Sequence, residues 1–212
     1  MLNQGIVGVQ NPVDSSVPQS IRMGQQGDQI VSELHGRYYE QSVRQKTFTA
    51  ATQAVVTTTV GLATTYTGLV ISNPVGSGVN AEILFASMIQ SVIQATQVEA
   101  FAIAVGYNAT TNVTHTTPVA VKSNLVGTGS AGLVVADVSA TLPTAPVYDT
   151  FLTNTATATQ NGMGMVVDLG GSIVLPPGGY ACFVTPTQAS VNGMWFAFKW
   201  AENPSTAISA LK

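Results

Sequence analysis

Residues 194–202 read MWFAFKWAE, and in them Met194, Phe196, Phe198 and Trp200 alternate with Trp195, Ala197, Lys199 and Ala201. A period of two puts the rings Phe196, Phe198 and Trp200 on one face of an extended strand and smaller or polar side chains mostly on the other, the pattern of a strand half in a core. Asn192-Gly193 immediately before it is the strongest hairpin signal in the chain, since both residues accept the positive φ of a tight turn. We read this stretch as the aromatic strand that closes the core.

Working outward, LPPGGY (175–180) predicts a tight turn. Pro176-Pro177 sets φ, Gly178-Gly179 permits φ > 0, and the turn launches a strand over 180–185. YTGLVIS (66–72) reads as a strand stopped by Asn73-Pro74, with SNPVGSGVN (72–80) as a loop. TFTAATQAVVTTTV (47–60) is dense in β-branched residues. Over 98–107, Phe101, Ile103, Val105 and Tyr107 oppose a face of small alanines, which fits a strand between a core and a tightly packed neighbouring layer. EILFASMIQSVI (82–93) puts Ile83, Phe85 and Ile89 on one face and Leu84 and Met88 on the other. The region 81–105 also admits a helix, because short apolar runs do not discriminate. YNATTNVTHTTP (107–118) reads as a polar loop. Short apolar runs follow at 119–121, 133–138, 147–152, 165–169 and 173–175, punctuated by Gly, Pro or Asn. Many short strands, no convincing long helix and no internal repeat predict an all-β domain, a sandwich or barrel.

Charge is scarce and unevenly placed. Charged residues make up 8% of the chain, against a typical ~25%. Residues 22–46 hold Arg22, Asp28, Glu33, Arg37, Glu40, Arg44 and Lys46. The body after them is nearly neutral and rich in Thr, Ala and Val, a surface that loses little hydration on docking against protein. We divide the chain into residues 1–46, an arm with a charged docking segment, and 47–212, a β body. Residues 1–27 are rich in Gln, Ser, Gly and Pro and cannot bury enough apolar surface alone to offset their ordering entropy. They suit an arm that orders on a partner. Residues 28–46 support two readings. Ile30, Leu34 and Tyr38 recur every four residues, and Glu33–Arg37 and Glu40–Arg44 are helical i,i+4 pairs. A hairpin turning at His35-Gly36, with strands over 30–34 and 37–41, is the alternative. The extended form is preferred here because β structure follows. Arg37, Tyr38, Tyr39 and Arg44 are the candidate interface residues, tyrosine and arginine being the commonest anchors of interfaces.

The net charge of −3 and the lack of a basic stripe argue against nucleic acid as a partner. No run of about 18 apolar residues is present, so no membrane span is expected. The first residues, MLNQGIVGVQNPVDSS, do not read as a signal peptide. A single cysteine, Cys182 in GYACFV, excludes an intrachain disulfide and reads as a buried thiol. His35 and His115 stand far apart in loop-like settings and read as solvated. No phosphate-binding glycine motif and no GxSxG is present. Asp137, Asp149 and Asp168 are the acids from which a hydrolytic carboxylate pair would have to be assembled, and turn or edge roles suit them better. We expect no catalytic residue, no cofactor and no metal site. A different class of function is a carbohydrate-binding sandwich, with Tyr107 or Trp195 as an exposed stacking platform.

The run SIRMGQQGDQIVSELHGRYYEQSVRQKTFTAATQA (20–54) resembles the N-terminal region of virion structural proteins of tailed bacteriophages. SNPVGSGVNAEIL (72–84), IVLPPGGYACFV (173–184) and WFAFKWAE (195–202) extend the resemblance over most of the chain. It implies a jelly-roll-like β-sandwich with an extended N-terminal arm. It further implies a decoration or cement protein of the phage head, often a homotrimer. Such a protein clamps neighbouring major capsid subunits in a virion assembled in the bacterial cytoplasm. A head-fibre base or tail-associated adaptor is the neighbouring role. The resemblance transfers no catalytic residue, since the implied role is one of shape and contact.

Overall fold

The computed structural model describes residues 36–59, 61–90, 99–155, 164–186 and 193–205. One short helix, α1 (Tyr39–Val43), precedes twelve strands. These are β1 (Thr47–Ala51), β2 (Thr65–Ser72), β3 (Val79–Gln90), β4 (Glu99–Tyr107), β5 (Thr114–His115), β6 (Pro118–Val119), β7 (Val121–Ser123), β8 (Val135–Thr141), β9 (Val147–Thr155), β10 (Gly164–Leu175), β11 (Gly179–Val184) and β12 (Met194–Pro204). The chain divides into Met1–Tyr39 and Glu40–Lys212.

The pairing of the strands in the second unit explains its form. β1 pairs with β12, β2 with β11, β3 with β10 and β4 with β9, all antiparallel. The chain is thus one long hairpin of nested pairs, rolled so that alternate pairs fall in different sheets. The first sheet runs β10-β3-β12-β1-β7 and the second β5-β8-β2-β11-β4-β9, with β6 also on β8. This is the connectivity of a jelly roll, the double-sheet way of building a sandwich from Greek keys. The predicted all-β sandwich is the observed fold.

The four strands between β4 and β9 are an insertion that builds out one side of the sandwich. β7 extends the first sheet beyond β1, while β8, carrying β5 and β6, extends the second beyond β2. On the opposite side the sheets end in β9 and β10, which pair with no further described strand.

The core lies between the sheets. Phe183 of β11 stacks on Phe196 and Phe198 of β12 at ring-centroid distances of 4.6 and 4.4 Å, joining the two sheets. Trp200, fully buried beside Phe48, extends the same cluster. Burying one such side chain contributes roughly 1.5–3 kcal/mol. In β11 both faces are buried: Ala181 and Phe183 join the main core, while Tyr180, Cys182 and Val184 join a second cluster. Ala102 and Ala104 of β4 lie in that second cluster and Phe101 and Ile103 in the first. The alanine face therefore sits under a second layer, as its small side chains predict.

Four sequence expectations are corrected. Residues 39–43 are helical rather than extended, which removes the hairpin strand over 37–41. The helix ends because Gln45 adopts φ 57° while Lys46 N–H donates to the Gln41 carbonyl and Gln45 N–H to that of Ser42. This is a Schellman stop, usually built on glycine. In β3, Leu84 has no partner between the pairs Phe85–Lys199 and Ile83–Trp200. This bulge shifts the phase, so Ile83 and Met88 share the main core while Ile89 is exposed. The β-branched run from 47 makes a strand only to Ala51; Val56 returns as one isolated bridge to Met194. The loop over 107–118 contains β5. The arm before Gly36, the histidine at 35 and the Asn192 half of the hairpin turn lie outside the described residues.

The turn at 175–180 forms as predicted. Gly178 has φ 90°, and a Cβ there would overlap the Asn108 carbonyl oxygen. Asn73, at the end of β2, locks the turn from across the sheet. Its backbone exchanges hydrogen bonds with Gly178 and Gly179, and its side-chain amide donates to the carbonyls of Val79 and Leu175.

Candidate functional site

The four candidate interface residues fall in and around α1. In the first unit, the Arg37 guanidinium lies over the Tyr38 ring, 5.2 Å from its centroid, and Tyr39 is 47% exposed. In the second unit, Arg44 Nε is 3.5 Å from Glu40 Oε2, with both side chains largely exposed. An exposed i,i+4 pair of this kind contributes about 0.3–0.5 kcal/mol. Its charges stay hydrated and accessible.

A second constellation was not legible in the sequence. Pairing of β2 with β8 sets Val70 opposite Asp137 and Ser72 opposite Val135, and β5 adds His115 at the far edge of β8. His115 Nε2 is then 3.1 Å from Ser72 Oγ, and its Nδ1 is 3.4 Å from Asp137 Oδ2. Asp137 is fully buried, and its carboxylate accepts the backbone N–H groups of Thr117 and Ser139. Nδ1 approaches the Asp137 carboxylate without a hydrogen bond, and Ser72 Oγ and His115 Nε2 share the one hydrogen bond of the set between side chains. The serine–histidine–aspartate order is that of an activated nucleophile. The setting is that of a fastening. Ser72 is only 4% exposed, and the N–H of Asn73, the donor next to it, is spent on the Gly179 carbonyl. The three side chains stitch the insertion to β2. Ser72 and His115 border a cavity of about 200 Å³, into whose lining Asn73 and Asn112 also enter. No pattern of spacing announces this set, because strand register alone assembles it from residues 72, 115 and 137.

The remaining acids do not converge. Asp137 is on β8 and Asp149 on β9, at opposite ends of the second sheet's main path and four strand spacings apart, roughly 19 Å at ~4.8 Å each. Asp168 lies on β10 in the other sheet. Among the described residues, no group of three or more His, Cys, Asp or Glu side chains is placed to hold a metal ion. No described helix is long and apolar enough to cross a membrane. Cys182 is fully buried, and burial pushes its thiol far above the usual range.

A different buried carboxylate does structural work. Glu202 accepts the N–H groups of Leu133 and Val134 and the indole N–H of Trp200. It ties the inserted segment to β12 much as Asp137 ties β5 and β6 to β8.

No family model matches the sequence, and no curated protein matches it. Among solved structures, the chain aligns with a chain of "KBV activated particle at acidic pH". The alignment has 13% identity, covers 96% of this chain and 87% of the other, and has a TM-score of 0.29. So low a score carries no argument about fold or role.

Proposed function

We propose that the protein is a non-enzymatic structural component of a virion, of the decoration or cement type found on tailed-phage heads. In this reading it is homo-oligomeric, with a trimer favoured. It clamps neighbouring major capsid subunits through residues 1–46, with Arg37, Tyr38, Tyr39 and Arg44 as anchors. Contacts that span two capsid subunits bind only the assembled shell and so stabilise it by mass action. A jelly roll by itself serves viral capsids, lectins and enzymes alike, so the fold supports this reading without deciding it.

The observation that carries the proposal is the side of the sandwich where no described segment covers the sheet edges. β9 and β10 are nine and twelve residues long and contain no Lys, Arg or Pro; bulges and one acid each, Asp149 and Asp168, interrupt them. Between these interruptions Phe151 and Val166 are 67% and 74% exposed. A monomer guards such edges along their length with charge, bulges, proline or a covering segment; the two exposed apolar positions suit a protein that associates through them. The test is the mass of the purified protein in solution, together with co-sedimentation with capsids. The full chain should be oligomeric and should pellet with capsids, and a chain lacking residues 1–46 should keep its fold and its number of copies per oligomer but stay in the supernatant. Unimpaired capsid binding by the shortened chain would refute the docking role.

A further inference from the structure

A cleft of about 430 Å³ opens at one end of that same side, between the start of β9, the end of β4 and the end of β10. Its volume lies in the range of small-molecule sites, roughly 300–1,000 Å³. Its lining combines three kinds of group. Tyr107, the last residue of β4, lines the cleft and is 55% exposed. Val147, Ile173, Val174 and Pro176 supply apolar surface. Asp149 and Ser172 supply polar atoms. Among the described residues, the Asp149 carboxylate accepts the neighbouring Thr150 hydroxyl, through Oδ2 at 2.7 Å, which leaves Oδ1 to accept.

We infer that this cleft binds a neutral saccharide. An aromatic face carries partial negative charge and attracts the positive C–H face of a pyranose ring. A carboxylate accepts only, and so asks for hydroxyl donors. The Ser172 hydroxyl both donates and accepts. The lining holds one carboxylate and no Lys, Arg or His, so a phosphate, sulfate or uronate would meet repulsion and no counter-charge. The sheets hold the groups in place. Tyr107 is in register with Gly179 of β11, and Asp149 is the unpaired residue of a bulge fixed on either side by the pairs Tyr148–Ala104 and Thr150–Ile103. Phe151 and Val166 lie outside the cleft, further along β9 and toward the opposite end of β10.

The experiment is a printed array of neutral and acidic glycans probed with the full chain. The strongest binder is then titrated against the full chain, Tyr107→Ala, Tyr107→Phe, Asp149→Ala and Trp195→Ala. Hits should be confined to neutral glycans. Tyr107→Ala and Asp149→Ala should each weaken binding at least tenfold, while Tyr107→Phe and Trp195→Ala should stay within threefold. These positions are exposed, and melting curves matching the parent protein would show that each variant is folded. An array without hits, hits confined to acidic glycans, or a hit indifferent to Tyr107→Ala would overturn the inference. So would a Tyr107 ring that becomes protected when the protein is concentrated without sugar, since a second copy of the chain would then occupy the cleft.

Discussion

The two sides of the sandwich are built on opposite plans. On one side an insertion covers both sheet edges, and it is held by buried carboxylates: Asp137 on the Thr117 and Ser139 amides, Glu202 on the Leu133 and Val134 amides. Its outermost strands carry Lys122 on β7 and Pro118 on β6, both residues that discourage further pairing. On the other side β9 and β10 stop without a described neighbour, with Val147, Phe151, Val166 and Val174 exposed beside Asp149, Asp168 and Ser172. The difference teaches that edge protection in this fold is local. Where the chain invests in buried ionic fastenings, the edge is closed. Where hydrophobic residues lie on a ladder that no described segment covers, the edge is the place we propose for a partner.

The sharpest way to break the contrast is through the closed side. Glu202→Ala leaves three buried donors, two amides and the Trp200 indole, without an acceptor, and should cost about 3 kcal/mol in unfolding free energy. Denaturant titration reads this as a lower midpoint with an unchanged slope. Asp137→Ala should cost about 2 kcal/mol for the same reason, with two amides and His115 losing their partner. Hydrogen exchange should locate its effect in residues 114–119. Ser72→Ala, which removes only the hydroxyl end of that fastening, should cost about 1 kcal/mol or less. On the open side the expectation is reversed. Phe151→Lys gives up the ring contact with Tyr148, at 5.5 Å between centroids, and should cost about 1 kcal/mol or less, and Val166→Lys at a 74% exposed position should cost about 0.5 kcal/mol or less. Their effect should fall on association.

Much of the closed core was readable from residues 194–202, 175–185 and 98–107. Alternation, an aromatic face and a Pro-Pro-Gly-Gly turn are local signals, and the structure realises each of them. What could not be read depends on register or on exceptions to local rules. The bulge at Leu84 inverts the faces assigned to Phe85 and Ile89, and only its partner strand reveals it. The stop of α1 rests on Gln45 in a left-handed conformation, a place where glycine would have been the visible signal. The triad of Ser72, His115 and Asp137 spans three strands whose order in the sheet no spacing encodes. Trp195 and Tyr107 were legible as exposed rings, but the cleft beside Tyr107 depends on β10 arriving from the other sheet.

The most direct test of the account is the mass in solution of the full chain and of the double variant Phe151→Lys/Val166→Lys, measured side by side by light scattering. A structural protein joined through its open edge should show a multiple of the 21.9 kDa chain, and the double variant should fall to a single copy with its fold intact. A single copy in both samples, or an oligomer indifferent to the two lysines, would contradict it.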